Sequence, residues 1–205
     1  MDERIQKVMD NLRLNKMRPY FAEQRTELYR IIGDLVKNDK LITSGGSMTL
    51  KESGVIDFLQ KEFGSAYLDR SAGKTPEEVE EILHKAFVSD TFLASSNAIT
   101  EDGELYNVDG KGNRVSAMIY GPKQVIIVAG VNKIVKDLAE AKERVEKIAA
   151  PKNTVRLNCE TPCAKTGECM HCRSSARICC SFVTLAQQRV PDRIKVILVN
   201  ENLGY

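Results

Sequence analysis

The sequence lacks the features that mark several large classes of protein. No apolar run approaches the roughly 20 residues that a membrane-spanning helix requires. Residues 1–7 are polar where a secretory signal peptide would be apolar. The formal net charge is only +2, far from the excess of positive charge that general nucleic-acid binders carry. We therefore expect a cytoplasmic protein that binds neither membrane nor nucleic acid; no pattern indicates an oligomeric state.

Motifs of several common enzyme classes are also missing. The chain has two histidines, and no His-Glu-x-x-His or Gly-x-Ser-x-Gly motif occurs. His84 lies on the face of an expected helix, so no Ser-His-Asp arrangement is indicated. The glycine-rich turn at 45–46 has neither the Gly-Lys-Ser/Thr ending of a P-loop nor the spacing of a dinucleotide fingerprint.

Composition is that of a globular domain. The 205 residues are 42% apolar and 28% charged, which allows both a sizeable core and a hydrated surface. We expect one domain over 1–205. It divides into N-terminal helices (1–39), an α/β core (40–150), a cysteine-rich segment (151–181) and closing strands (182–205).

Apolar periodicity predicts helices and strands along the whole chain. Residues 3–37 are expected to form a helical hairpin, followed by a strand over 40–43 and a helix from about Met48. Thr75-Pro76 is typical of a helix start. A helix capped near Asn132 should end at Pro151. Further strands are predicted over 66–68, 91–96, 104–108, 115–120, 124–129, 182–185 and 194–199.

These elements together predict an α/β fold with a mixed sheet flanked by helices. The run 124–129 is almost wholly apolar, which is typical of a central strand covered on both faces. Asp102-Gly103 favours a hairpin turn, so the middle of the chain needs antiparallel neighbours. The last two strands are expected to pair with each other.

The cysteines are the most specific chemical signal. All six lie between Cys159 and Cys180. In a cytoplasmic chain, clustered thiols indicate metal ligands or redox groups before disulfides. The short spacings favour an iron–sulfur cluster, with structural zinc, redox thiols and plain packing as alternatives. His171 is expected to be a bystander. The candidate metal ligands are Cys159, Cys163, Cys169, Cys172 and Cys179.

Two polar segments that follow expected strands are candidates for a ligand pocket. The turn 44–49 offers backbone N–H groups and the hydroxyls of Ser44, Ser47 and Thr49, which suit a small anion, although a plain tight turn is the alternative. Residues 95–101 lie where open α/β sheets bind ligands.

Two charged residues near the second segment are candidates for specific roles. Glu101 would suit a general base or nucleophile if buried, and a solvated turn residue otherwise. Arg114 would suit bidentate binding of a carboxylate or phosphate. A surface position is the alternative for this arginine.

Several stretches resemble the LUD-domain (lactate-utilisation) family, in particular its short cysteine-containing members from anaerobic bacteria. The resemblance covers nearly the whole chain and is carried by residues 44–49, 97–103, 107–115, 121–127, 131–135 and 161–169. It implies a fold similar to ribose-phosphate isomerases and CoA-transferases. It also implies that the pocket walls include Ser44, Gly45, Gly46, Ser47, Thr49, Asn97, Thr100 and Glu101. Glu101 would correspond to the CoA-transferase glutamate that forms the acyl adduct.

The resemblance implies a role in organic-acid utilisation and leaves two functions open. The first is a redox accessory protein with a cysteine-ligated iron–sulfur centre, working beside an iron–sulfur oxidoreductase partner. The second is a small-anion-binding enzyme or sensor whose cysteines hold structural zinc. Metal analysis separates these two functions.

Overall fold

The computed structural model describes residues 2–205 and has an α/β architecture with two sheets. Its helices are α1 (Glu3–Leu14), α2 (Arg25–Val36), α3 (Met48–Glu52), α4 (Val55–Phe63), α5 (Pro76–Lys85), α6 (Asn113–Ile119), α7 (Leu138–Arg144), α8 (Ala150–Arg156) and α9 (Pro162–Thr166). Its strands are β1 (Arg18–Ala22), β2 (Ile42–Ser44), β3 (Tyr67–Leu68), β4 (Thr91–Ala94), β5 (Ala98–Thr100), β6 (Leu105–Asp109), β7 (Gln124–Gly130), β8 (Ile134–Val135), β9 (Ser181–Leu185) and β10 (Ile194–Val199). None of the helices within 2–205 is long and apolar enough to cross a bilayer.

The larger sheet has six strands in the order β1-β10-β7-β4-β2-β3, and every pair is parallel. Alternate residues of its central strands face opposite sides, as the period of two requires. Ile127 and Leu198 pack in one apolar cluster with α1 and α6. Ile126 and Ile197 pack in a second cluster with α2, α3 and α4. The expected α/β fold with a doubly covered strand at 124–129 is confirmed.

The smaller sheet has the order β8-β5-β6-β9 and contains the antiparallel pairs β5–β6 and β6–β9. The turn at Asp102-Gly103 joins β5 to β6, as expected, with Gly103 at a φ of +77°. β9 and β10 do not pair with each other, so that expectation is wrong. β9 completes the smaller sheet, whereas β10 enters the larger one between β1 and β7.

The expected N-terminal helical hairpin is also wrong, because a strand separates its two helices. Residues 18–22 form β1 and run parallel to β10 at the edge of the larger sheet. Pro19 lacks an N–H group, and an edge strand tolerates this loss. The pairing partner lies at the other end of the chain, so local periodicity did not reveal it.

Two further local expectations fail for identifiable reasons. Residues 115–120 were expected to form a strand, but most of this stretch belongs to α6, which begins after the left-handed Gly112 and buries Val115 and Met118 three positions apart. The helix expected from Asn132 begins only at Leu138, because a 3₁₀ turn and β8 come first. It continues past Pro151 through a π-helical turn to Arg156.

Candidate functional site

A cleft of about 300 Å³ lies beside the carboxyl ends of the central parallel strands. The segments that follow β2, β4 and β7 each contribute to its walls, and the loop after β6 of the smaller sheet contributes another. Helix α8 and Tyr205 close the remaining side. Ligands in open α/β sheets bind at this edge, where loops from neighbouring strands converge.

The structure brings five of the predicted ligand-binding residues to this cleft. Its lining includes Gly46, Ser47, Thr49, Asn97 and Arg114. The expected N-cap forms, with the Ser47 hydroxyl accepting from the backbone N–H of Leu50 at 3.3 Å. The polar segments after β2 and β4 therefore share one cleft.

Ser44 and Gly45 lie behind the cleft wall. The Ser44 hydroxyl lies 2.7 Å from the Tyr67 hydroxyl in a buried contact. The backbone N–H of Gly45 donates to the Leu93 carbonyl. A Cβ at Gly45 would lie 3.3 Å from Cγ of Arg114, so this glycine lets the arginine pack closely.

Thr100 and Glu101 do not reach the cleft. Strand β5 separates them from Asn97 and carries them to its opposite end. There the Glu101 carboxylate accepts from Arg4 Nε and Lys7 Nζ of α1, both at 2.8 Å. These hydrogen bonds, the one from Lys7 first, lower the pKa of Glu101. The carboxylate thus fastens α1 to the β5–β6 turn and does not face the cleft.

The Arg114 guanidinium forms part of the cleft wall, but its donors are already used. Nη1 donates to the Ser95 carbonyl at 2.9 Å and to Asn107 Oδ1 at 2.6 Å, and Nη2 donates to the Val108 carbonyl at 2.9 Å. Nε lies 3.5 Å from the Asp109 carboxylate. Arg114 therefore joins β4 to β6 and adds positive charge, but a bidentate contact with a ligand would break these bonds.

Lys133 is a cleft residue that the sequence analysis did not identify. It follows the buried strand β7, and only 3% of it is exposed. Its Nζ donates to the hydroxyls of Thr49 at 2.8 Å and Ser95 at 3.0 Å, and to the Ser96 carbonyl at 3.2 Å. The feature of the sequence that could have indicated this residue is a lysine shortly after an apolar strand.

Burial is the main cause that lowers the pKa of Lys133 to about 7. The positive charges of Arg144 and Arg114 act in the same direction, and Glu52 opposes them. The cleft therefore contains an amine that can be neutral near physiological pH.

Three further cations lie around the cleft. Arg70, Lys111 and Arg156 are exposed and line it together with Arg114 and Lys133. Asp109 is the only carboxylate side chain among the lining residues within 2–205, and Arg114 neighbours it. The lining is thus strongly electropositive.

The rim cations differ in how firmly they are held. Arg156 Nε donates to the Tyr205 hydroxyl at 2.6 Å, which orients its guanidinium. Nη1 of Arg70 would lie 2.8 Å from a Cβ at Gly46, so only a glycine allows this close approach. No hydrogen bond or ion pair to another side chain in the described range occupies Arg70.

Four of the five predicted metal-ligand cysteines line a second, smaller cavity of about 40 Å³. They are Cys163, Cys169, Cys172 and Cys179. The hydroxyls of Thr154 and Thr161 lie 3.5 and 3.3 Å from the Cys163 sulfur. Burial, followed by the nearby Cys163 and Cys169, raises the pKa of Cys179 to about 11.

Cys159 and Cys180 do not line this cavity, whereas His171 does. Arg177 organises the loop, because its guanidinium donates to the carbonyls of Cys172 at 2.6 Å and Cys179 at 2.8 Å.

All six thiols are free. Among residues 2–205, no three Cys, His, Asp or Glu side chains are grouped as a metal site. The four thiols suit soft metals chemically, although their sulfurs are not arranged as a ligand sphere.

The cleft and the cysteine cavity are neighbours, because Ile178 lines both. The segment from Arg177 to Cys180 runs between them, and the backbone N–H of Cys180 donates to the Asp109 carbonyl at 2.9 Å. The two candidate sites are thus joined by a short stretch of chain.

Comparisons with known proteins agree with this architecture. Among solved structures, the crystal structure of a DUF162 family protein from Deinococcus radiodurans is similar, with a TM-score of 0.57, 14% sequence identity and 97% of each chain covered. At that identity the likeness supports the fold alone. A search of curated proteins finds no match. The family model of the LUD domain matches residues 5–199. Because this match spans almost the whole chain, the protein belongs to the LUD-domain (lactate-utilisation) family.

Proposed function

We propose that this LUD-domain protein binds a small organic anion in the cleft as part of organic-acid utilisation. The observation that carries the proposal is the charge of the lining. Four cationic side chains, with Lys133 adding a fifth charge when it is protonated, line a cleft of about 300 Å³ that contains one carboxylate side chain. A cluster of cations that outnumber the neighbouring anions favours a negatively charged ligand, because such a ligand lowers their mutual repulsion.

The contacts of the cations indicate that they have different roles in ligand binding. Arg70, Lys111 and Arg156 are exposed enough to contact the ligand directly. Arg114 contributes charge and holds the wall, since its hydrogen bonds are all made within the protein. The Ser47 hydroxyl also lines the cleft and can donate to a ligand without adding a competing negative charge.

Isothermal titration calorimetry with lactate, pyruvate, inorganic phosphate and CoA tests this proposal. A hydrogen bond to a charged group contributes about 1.5–3 kcal/mol, so losing one corresponds to roughly a 10- to 150-fold weaker affinity. We expect Arg70→Gln and Arg156→Gln to weaken anion binding by this factor. Arg30→Gln is the matched control, because Arg30 is exposed on α2 and pairs with Asp34.

Two results would refute anion binding in this cleft. One is a neutral ligand such as glycerol binding as tightly as the acids. The other is unchanged affinity in both Arg70→Gln and Arg156→Gln.

The cysteine cavity supports a second proposal, that of a redox accessory protein with a metal centre. We propose that Cys163, Cys169, Cys172 and Cys179 hold an iron–sulfur cluster, with zinc as the alternative. The observation that favours it is that these four thiols line one cavity, whereas Cys159 and Cys180 lie outside it. An iron–sulfur centre would supply one-electron chemistry and require an iron–sulfur oxidoreductase partner.

Anaerobic purification followed by metal analysis and absorption spectroscopy tests the metal proposal. An iron–sulfur cluster gives a brown protein that absorbs at about 400 nm, whereas a zinc-bound protein is colourless. Cys163→Ser should lower the bound metal, and Cys180→Ser should not, because Cys180 is exposed outside the cavity. Freshly prepared protein with neither metal would contradict this proposal and leave anion binding intact.

A further inference from the structure

Lys133 is buried more deeply than the other cations of the cleft. Anion binding, the proposed function, does not require this burial. Its Nζ lies at the inner wall, held by the hydroxyls of Thr49 and Ser95. A lysine that only attracted an anion would serve as well on the rim, where Lys111 lies. Its burial therefore indicates a task that depends on the amine itself.

The burial of Lys133 and the charges around it make the neutral amine accessible near pH 7. The charged groups acting on it from the elements packed around it are Arg144 of α7, Arg114 of α6 and Glu52 of α3. Two of the three are positive. With burial, they lower its pKa to about 7. A desolvated lysine beside other cations is the environment that activates an amine as a nucleophile.

We propose that Lys133 forms an imine with the carbonyl group of a 2-oxo carboxylate bound in the cleft. This inference rests on the proposed anion binding and names the class of anion. A 2-oxo carboxylate suits both parts of the cleft. Its carboxylate would be held by rim cations such as Arg70 and Arg156, and its adjacent carbonyl carbon would face the amine at the inner wall.

The chemistry balances without an oxidant or reductant. The nitrogen lone pair of neutral Lys133 attacks the carbonyl carbon, and one of the two N–H protons moves to the carbonyl oxygen to give a carbinolamine. The second N–H proton then moves to the carbinolamine hydroxyl, the carbon–oxygen bond breaks, water leaves, and the nitrogen lone pair forms the C=N bond. The hydroxyls of Thr49 and Ser95 accept hydrogen bonds from the amine nitrogen and can relay these protons from nitrogen to oxygen.

Reductive trapping tests the inference. The protein is incubated with pyruvate and sodium borohydride, and the adduct is located by intact mass and peptide mapping. We expect one saturable adduct per chain on Lys133, with the initial rate of labelling rising as the pH passes through about 7, because only the neutral amine attacks. Lactate carries the carboxylate without the ketone, so it should give no adduct and should compete with pyruvate.

Two variants control for labelling of other lysines. Lys133→Met keeps an unbranched side chain that is one atom shorter and removes the amine, so it should abolish the adduct. Lys136→Met removes an exposed lysine outside the cleft and should label as the wild type does. If Lys133→Met fails to fold, peptide mapping of the wild type still decides the position.

The outcomes separate this inference from the proposed function. Pyruvate that binds by calorimetry but leaves Lys133 unlabelled overturns the imine and leaves anion binding standing. Labelling spread over exposed lysines and unchanged in Lys133→Met also overturns the imine. If another acid binds but pyruvate does not, the imine fails and anion binding stands; if none of the acids binds, both the proposed function and the imine fail.

Discussion

The buried amine of Lys133 makes the stability of the protein depend on pH in a direction that can be calculated. Its folded-state pKa of about 7 lies below the ordinary value of 10.5. Between these values the unfolded chain binds a proton that the folded chain does not, so stability rises with pH across this window. One pH unit corresponds to 1.36 kcal/mol, and the interval from about pH 7 to about pH 10 therefore contributes about 4 kcal/mol.

Urea denaturation of wild type and Lys133→Met at both pH values, under reducing conditions, isolates this contribution. Other groups titrate in both proteins and cancel in the difference. The hydrogen bonds that the variant loses to Thr49, Ser95 and Ser96 add an offset that does not depend on pH. We expect the difference in free energy of unfolding to move by about 4 kcal/mol in favour of the wild type at the higher pH. A constant difference would refute the reasoning and show that the amine stays charged.

Substitutions at other positions test the placement of side chains away from Lys133. Glu101→Gln should leave lactate and phosphate affinity unchanged by calorimetry, because its carboxylate pairs with α1; a loss as large as that in Arg70→Gln would contradict this placement. Leu198→Ala should lower the free energy of unfolding by about 2–5 kcal/mol in urea, because Leu198 is fully buried. Leu14→Ala is the control for this substitution, because Leu14 is 73% exposed. Gly130→Ala should cost about 1–3 kcal/mol, since the added Cβ would overlap the Asn132 side chain and the Glu201 carbonyl. Wild-type thermal stability in Gly130→Ala would contradict that packing.

Features set by neighbouring residues were predictable from the sequence. The Ser47 and Thr75 caps form as expected, because a hydroxyl needs only a backbone N–H three residues away. The strand β7 was predictable because both of its faces are apolar. The family resemblance likewise led to residues 46–49 and Asn97 of the cleft, although Thr100 and Glu101, from the same stretch as Asn97, lie elsewhere.

Features set by distant pairing were not predictable in this way. β1 exists because β10 lies beside it, and nothing within residues 18–22 announces that partner. The same limit applies to the site. Glu101 and Asn97 are near neighbours in sequence, but a strand carries them to opposite ends. Lys133 is far from Thr49 in sequence, yet β7 delivers its amine to that hydroxyl.

The order in which the strands of the larger sheet are synthesised differs from the order in which they lie. β10 is the last of the six to be made, and it occupies a place between β1 and β7. Arg18 can find its partner Lys195 only after nearly all of the chain has been synthesised. Contacts between such distant residues carry a large loop-closure entropy and slow folding. Until β10 docks, β1 and β7 present unpaired edges. We therefore expect the newly made chain to depend on chaperones in the cell, and refolding in vitro to require dilute protein, to avoid aggregation.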